Sequence, residues 1–356
     1  MTRRVLIIGA GLTGLALAHG LRRAKDIDVS IIEQAPVITE AGWAIGLTGR
    51  HVDALRQLGL TLEDIAADTV SRTILFDRET SVPVGIADMG IVVTSRSNLQ
   101  LWLAKPVADL VRTGITPTAI TDHGGHVEVG FSDGSTGEFD AVIGADGINS
   151  WTRHAVFAGP EPSYVGCAVI RFQVPNIDGL DVTAITSDGS LGYFILNGGT
   201  TLHGTLFLPG EADNHRDRTL AELAEPYRDL RGPLSSLVRA MRAEPTSFYA
   251  NINQVVTDDW AKGRIALAGD AAHAMSPRIG QGAGVGFQDA AVLSELLALP
   301  DMPVPAALAG YATIRQPMAR LVQQHSHTAT LRTGQANGAL DFGTLANVGT
   351  THQRSH

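Results

Sequence analysis

Cysteine is almost missing from this 356-residue sequence. Cys167 stands alone, so no intrachain disulfide can form; without a Cys-x-x-Cys pair a structural zinc site is not expected, and such usage suits a reducing cytoplasm. Basic blocks are missing too. Lys and Arg total 27 against 36 Asp and Glu, a formal charge of −9, with no run of five basic residues, so the electrostatic footprint of a nucleic-acid binder is absent. No stretch reaches the ~20 apolar residues of a membrane span. Arg3-Arg4 and the apolar run at 5–21 could pass for a secretory signal, but Gly9, Gly11 and Gly14 interrupt the run and no small-residue cleavage box follows Arg22-Arg23. A Gly-x-Ser-x-Gly nucleophile elbow is absent as well, which leaves serine-hydrolase chemistry without support. What remains is an acidic chain, 44% hydrophobic and 18% charged, long enough for roughly two packed domains. Small molecules are its expected partners.

Val5-Leu-Ile-Ile8 is a short, continuously apolar run, the pattern of a buried parallel strand. Gly9-Ala-Gly-Leu-Thr-Gly14 turns it into a helix predicted over 15–23, and a second strand at 29–32 ends at Glu33. This is the spacing of a β-α-β dinucleotide unit. Gly9 makes the tight turn, Gly11 lets the backbone approach a pyrophosphate, and Gly14 lets helix and strand pack closely. Leu12 and Thr13 belong to the same phosphate-facing turn, where the helix N-terminus attracts anions. Glu33 is placed to accept from ribose hydroxyls and would repel a 2′-phosphate, so the nucleotide is FAD or NAD rather than NADP.

Further strands are predicted at 44–47 and 141–145, helices over 50–58 and 97–111 with a break near Pro106, and a hairpin arm at 127–131. From 164 to 256 the texture becomes strands with one helical segment at 220–241, a second domain of α+β type. A last buried strand at 264–268 ends in Gly269-Asp270, and helices follow over 282–299 and 304–331.

Three separated segments coincide with one family pattern: Gly9-x-Gly11-x-x-Gly14; the segment 140–153 around Asp146-Gly147; and Trp260-x-x-Gly263 continuing through Gly269-Asp270-Ala-Ala-His273-x-x-x-Pro277-x-x-Gly280-Gln281-Gly282. Arg96-x-x-Leu99-x-x-x-Leu103 and Tyr311-x-x-x-Arg315-x-Pro317 match too. Over residues 3–320 the chain resembles the single-component FAD-dependent aromatic hydroxylases of the p-hydroxybenzoate hydroxylase fold. The resemblance implies an α/β architecture in which a Rossmann-like FAD-binding domain (1–69, 91–163 and 257–333) is interleaved with an α+β substrate domain (70–90 and 164–256), followed by a flexible tail at 334–356. It implies that Asp270 holds the ribityl chain, that Arg96 lies beside the phosphate or the flavin edge, and that Asp146 and Gly147 help bind FAD and the coenzyme. Gly269, Gly280, Gln281, Gly282 and Ala283 would complete the cofactor site, with Pro277 close to the ring. The helix from 282 would turn its positive end to the flavin and stabilise the anion formed on reduction.

The implied reaction uses NADH or NADPH to reduce FAD, then dioxygen; a flavin hydroperoxide hydroxylates an aromatic or polyketide-like molecule, while the protein shields it and orients the substrate. No second Rossmann motif serves the coenzyme, as in the family, where it binds transiently. A monomer or homodimer is implied. Two departures stand out: Leu47-Thr-Gly-Arg50 replaces a Pro-Asn-Ala type segment, and Gln288-Asp289 replaces Glu-Asp. Within the same fold, epoxidation and Baeyer-Villiger insertion remain open, whereas a halogenase is disfavoured because Trp43, Trp102, Trp151 and Trp260 make no Trp-x-Trp pair. An NAD-dependent dehydrogenase using the first motif alone would leave the Asp146 and Asp270 segments without a role. A non-enzymatic protein retaining FAD is the remaining alternative. His325 and His327 read as helix-surface residues, and no metal is expected.

For the substrate, alternation between 191 and 208 separates a mixed set, which includes Tyr193 and His203, from an apolar one. The sets occupy two faces only if the turn around Gly198-Gly199 has an odd number of residues, so three are expected. Tyr193 and His203 would then lie together over the flavin to bind or deprotonate a phenol, the histidine titrating near its ordinary 6.5.

Overall fold

The computed structural model describes residues 2–38, 42–243 and 245–335. Of the tail expected at 334–356, all but Gly334 and Gln335 lies outside the described residues. The run at 5–8 forms the middle of a six-stranded sheet because both of its faces are covered. Arg3–Ile8 pairs in parallel with Ile27–Glu33 on one side and Ala141–Gly144 on the other. Val111–Thr113 adds to one edge, and Ile265–Leu267 followed by Ala261–Lys262 to the other. Val5, Ile7, Ile31 and Ile143 point to the side covered by the helices Leu12–Arg22, Gly282–Ala298 and Val304–Leu331. Leu6, Ile8, Ile32 and Val142 point to a small sheet of Pro117–Asp122, Val127–Phe131 and Thr136–Phe139.

The first helix starts at Leu12, three residues before the predicted start, which puts Gly14 inside its first turn. A Cβ on Gly14 would stand 2.0 Å from the Gly9 carbonyl oxygen. Small residues also set the helix spacing. Thr13 is wedged between Gly269 and Gly286, either of whose added Cβ atoms would fall within 2.4 Å of its Oγ1. Among the described residues no helix is long and apolar enough to cross a membrane.

The second sheet has eight strands in the order Ser247–Gln254, Ser163–Pro175, Thr201–Pro209, Leu191–Leu196, Thr183–Thr186, Asp68–Phe76, Pro83–Ser95 and Ala44–Leu47. It therefore takes in more of the N-terminal half than the span 70–90. One face is covered by Leu220–Ala224 and Pro233–Arg242. The helix predicted over 220–241 is split there: Pro226 opens a short 3-10 turn, and Gly232, at φ 64°, redirects the chain into Pro233.

The hairpin expectation fails. Four residues, 197–200, join Leu191–Leu196 to Thr201–Pro209, and Leu196 pairs with Thr201. Asn197, Gly198 and Gly199 all take positive φ, and the Asp68 carboxylate accepts the N–H groups of Asn197 and Gly198, which holds the wider turn. An even loop puts residues of opposite parity on one face. Tyr193 pairs with Gly204 and packs with Leu202 and Leu206 toward the helices, while His203 pairs with Phe194 on the opposite face. The two candidates do not act side by side.

Candidate active site

The face of the large sheet opposite the helices Leu220–Ala224 and Pro233–Arg242 roofs a cavity of about 600 Å³ that extends down to the dinucleotide turn. Gly11, Leu12 and Thr13 line one end. Asp270 and the stretch from Pro277 to Ala283 form the floor, and Phe194, His203, Thr205 and Phe207 contribute to the roof. Arg96 and Gly147 complete the walls. Tyr193 touches the wall, but its hydroxyl is buried without a partner, and burial raises its pKa well above the ordinary tyrosine value. Gly9, Gly14, Glu33, Asp146 and Gly269 lie behind the walls and shape them.

The three glycines of the first motif divide by function. Gly9, at φ 107°, and Gly14 are demanded by the chain itself: added Cβ atoms would meet the Ala145 and Gly9 carbonyl oxygens at 2.4 and 2.0 Å. Gly11 is not; its φ is −73° and an added Cβ meets nothing within 4 Å. A side chain there would project beside the cavity, at the start of a helix whose first N–H groups have no intrahelical acceptors. That is the cradle a pyrophosphate requires, so the residues fit a dinucleotide. Glu33, at the tip of the adjoining strand, accepts the Ala10 and Ala35 N–H groups, each at 2.8 Å, and each carboxylate oxygen keeps a lone pair for a ribose hydroxyl. Gln100 ties the helix Arg96–Ala104 to the same turn by donating to the Ala10 carbonyl at 2.9 Å. Asp146 is fully engaged in its own loop, accepting from Ser150 Oγ and from the Thr152 N–H and Oγ1; it starts the helix Trp151–Phe157 and leaves Gly147, at φ 79°, on the wall.

Asp270 opens the short helix Asp270–His273, and its carboxylate accepts nothing from any described residue. Its position is set from below by Asp289. That fully buried carboxylate accepts the Gly269 N–H at 3.1 Å and meets His273 Nε2 at 2.5 Å and Arg315 Nε at 2.9 Å. Burial alone would raise its pKa, but His273 and Arg315 hold it below the ordinary carboxylate value. The sequence showed Asp289 only as half of a departure and Arg315 only as a motif match; their pairing across 26 residues is visible in the fold alone.

His51 is a second residue the sequence did not single out. It caps the helix Gly49–Gln57 by accepting the Thr48 N–H at Nδ1, which leaves Nε2 to donate to Gln281 Oε1 at 3.0 Å. Its ring fills the space that a Cβ on Gly284 would take. Burial pulls its pKa down to about 4. His203 is lowered to about 4 for the same reason, and its Nδ1 has no partner. The expected titration near 6.5 is therefore corrected: His203 is neutral at neutral pH and a weak base.

The FAD binding domain family matches residues 2–326 of this chain. An uncharacterized protein of Mycobacterium tuberculosis is 31% identical over 324 residues, covering 84% of this chain and 86% of its own length. The 3-amino-4-hydroxybenzoate 2-monooxygenase PtnB3 of Streptomyces platensis is 29% identical over 351 residues, 91% of this chain and 86% of that enzyme. The structure of Klebsiella pneumoniae HpxO complexed with FAD and uric acid superposes with a TM-score of 0.84 at 22% identity, over 97% of this chain and 93% of that one. That likeness bears on the fold, which is the p-hydroxybenzoate hydroxylase fold expected from the motifs. With its dinucleotide cradle, its Asp270 turn and its matched span of residues 2–326, the chain belongs to the FAD binding domain family.

Proposed function

We propose that this FAD-dependent monooxygenase uses NADH or NADPH and dioxygen to hydroxylate a small aromatic molecule beneath the large sheet. One observation carries the reading: a single cavity joins the Gly11 cradle to a roof of Phe194, Thr205 and Phe207, so cofactor and substrate share one chamber. FAD, when bound, supplies electron transfer from the coenzyme and activation of dioxygen. The chain's own residues do the rest. Glu33, Arg96 and Asp270 would hold the cofactor along its length, while the helix Gly282–Ala298 turns its N-terminus to the chamber and favours negative charge there. Phe194 and Phe207 in the roof would keep water from the reacting ring. The relative PtnB3 carries a name that specifies an aminohydroxybenzoate, in keeping with an aromatic substrate.

The test is coenzyme oxidation by the FAD-loaded protein under air with a panel of phenols and heteroaromatic hydroxides, with each product's mass and structure recorded. The expected product carries one added oxygen on a ring carbon. An epoxide or an ester in its place would redirect the reading to oxygen insertion of another kind, and coenzyme oxidation that yields only hydrogen peroxide with every ring would refute it. We further place the enzyme in the cytoplasm, on its single cysteine, as a monomer or homodimer; sedimentation of the purified protein decides the latter.

A further inference from the structure

The chamber is basic inside an acidic protein. Among the described residues, Arg50, Arg96, Arg171 and Arg278 border it against one carboxylate, Asp270, although the whole chain carries −9. Two of these arginines belong to the roof end. Arg171 lies opposite Thr205 in the sheet register, one step along the same face from the Val169–Phe207 pair. Arg278 stacks its guanidinium carbon 4.8 Å from the centroid of the Phe207 ring.

Neither guanidinium hydrogen-bonds or ion-pairs with any described residue. Arg278 is only 4% exposed, with Nε and Nη2 buried and without partners. The backbone makes room for it: a Cβ on Gly189, at φ 67°, would fall 1.7 Å from Nη2. Asp188, whose field reaches Arg278, is committed elsewhere, Oδ1 to Thr186 and Ser190 and Oδ2 to Arg78. Burial lowers Arg278 to about 10, which leaves it a cation at neutral pH. Arg171 is lowered by burial and then by the charge of Arg96. A desolvated cation without an anion is among the costliest arrangements a protein interior can hold. The rigid fork of a guanidinium matches the paired oxygens of an acid group, a carboxylate or a phosphate.

Building on the monooxygenase reading above, we propose that Arg278, with Arg171 on the same wall, binds a carboxylate carried by the aromatic substrate, so that the enzyme selects aromatic acids over neutral rings. The experiment uses the FAD-loaded protein and matched pairs of probes, hydroxybenzoates against hydroxybenzamides and hydroxyquinoline carboxylates against their amides, titrated by the change in flavin absorbance. Wild type is expected to bind at least one acid tenfold or more tightly than its amide, and Arg278→Gln to bring that ratio within threefold of unity. Arg278→Lys should restore part of it, which a purely structural role would not. Overturning results are an acid-to-amide ratio near one for every pair in the wild type, an unchanged ratio in Arg278→Gln, or loss of FAD from that variant, which would assign Arg278 to the cofactor. The wild-type ratio stands even if a variant does not fold. Ring hydroxylation without any preference for acids would sink this inference alone; absence of oxygenated product from any ring would sink the reading beneath it.

Discussion

Gly11→Val separates the proposed cofactor site from the fold, because the backbone demands glycine at 9 and 14 and leaves open space at 11. At Gly11 the backbone sits at φ −73° and ψ −178°, which valine adopts, and the added Cβ meets no protein atom within 4 Å. For the apoprotein two small terms oppose each other: lost freedom of the unfolded chain stabilises by about 0.4–1 kcal/mol, and a poorer helix cap costs a similar amount, about 1 kcal/mol or less. Apo stability should therefore stay within about 1 kcal/mol of wild type. Binding is another matter. On the proposed cofactor reading the valine methyl groups would stand where a pyrophosphate approaches the first helical N–H groups, and each charge-assisted hydrogen bond lost would remove about 1.5–3 kcal/mol. Loss of two weakens FAD by about 3–6 kcal/mol, a factor of roughly 10² to 10⁴. The assay is flavin absorbance per protein after desalting, with fluorescence titration of the apoprotein and urea unfolding in parallel. Gly14→Ala supplies the opposite control, since its Cβ would lie 2.0 Å from the Gly9 carbonyl oxygen and folding itself should fail. Gly11→Val that binds FAD within threefold of wild type would refute the cradle, and a stably folded Gly14→Ala would refute the division of roles.

Asp270→Ala should weaken FAD by about 1.5–3 kcal/mol in the same titration while leaving apo unfolding unchanged, since the carboxylate holds no described residue; equal affinity would reduce Asp270 to a helix-start residue. Tyr193→Phe removes a buried hydroxyl that has no partner, so the urea midpoint should rise, by about 1 kcal/mol of stability, with substrate binding and coupling unaltered; a loss of binding would return Tyr193 to the site. His51 and His203, both lowered to about 4, remain neutral in the native state while the unfolded chain takes up protons below its ordinary 6.5. Stability is thus full above that value and falls with pH down to about 4, by about 2 kcal/mol per histidine between pH 7 and 5. Urea midpoints across that range should fall less steeply in His203→Gln than in wild type; parallel slopes would contradict a neutral buried ring.

What the sequence disclosed followed from local geometry. Gly14 is required by the Gly9 carbonyl within the same turn and Gly9 by its own φ of 107° as well as by Ala145 at the end of the neighbouring strand, and Gly269-Asp270 closes a buried strand, so motif spacing made the proposed cofactor half of the site legible. The roof depended on the parity of one loop. Asn197, at φ 58°, supplies a left-handed residue without being glycine, and Asp68, distant in sequence, stabilises the turn from outside, so nothing within 191–208 specified four residues rather than three. His51 and Asp289 act through partners on other elements, and Arg278 stacks on Phe207 of a distant strand. A lone polar residue in an apolar stretch does not reveal which buried neighbour it meets.

The turn at 197–200 also constrains how this enzyme's lineage can change its substrate. One residue gained or lost there would rotate the strand that follows, sending Leu202 and Leu206 into the chamber and burying His203 and Phe207 among the helices. Such an indel exchanges the lining wholesale and strands polar groups in the core, so selection would remove it before any new specificity could be tested. Point substitutions at 194, 203, 205 and 207 keep the strand in place and alter the chamber one side chain at a time. Diversification along this strand therefore proceeds by replacement within a turn of constant length, or by changes of two residues together, and relatives with different substrates should keep the parity of this loop even where its sequence has drifted.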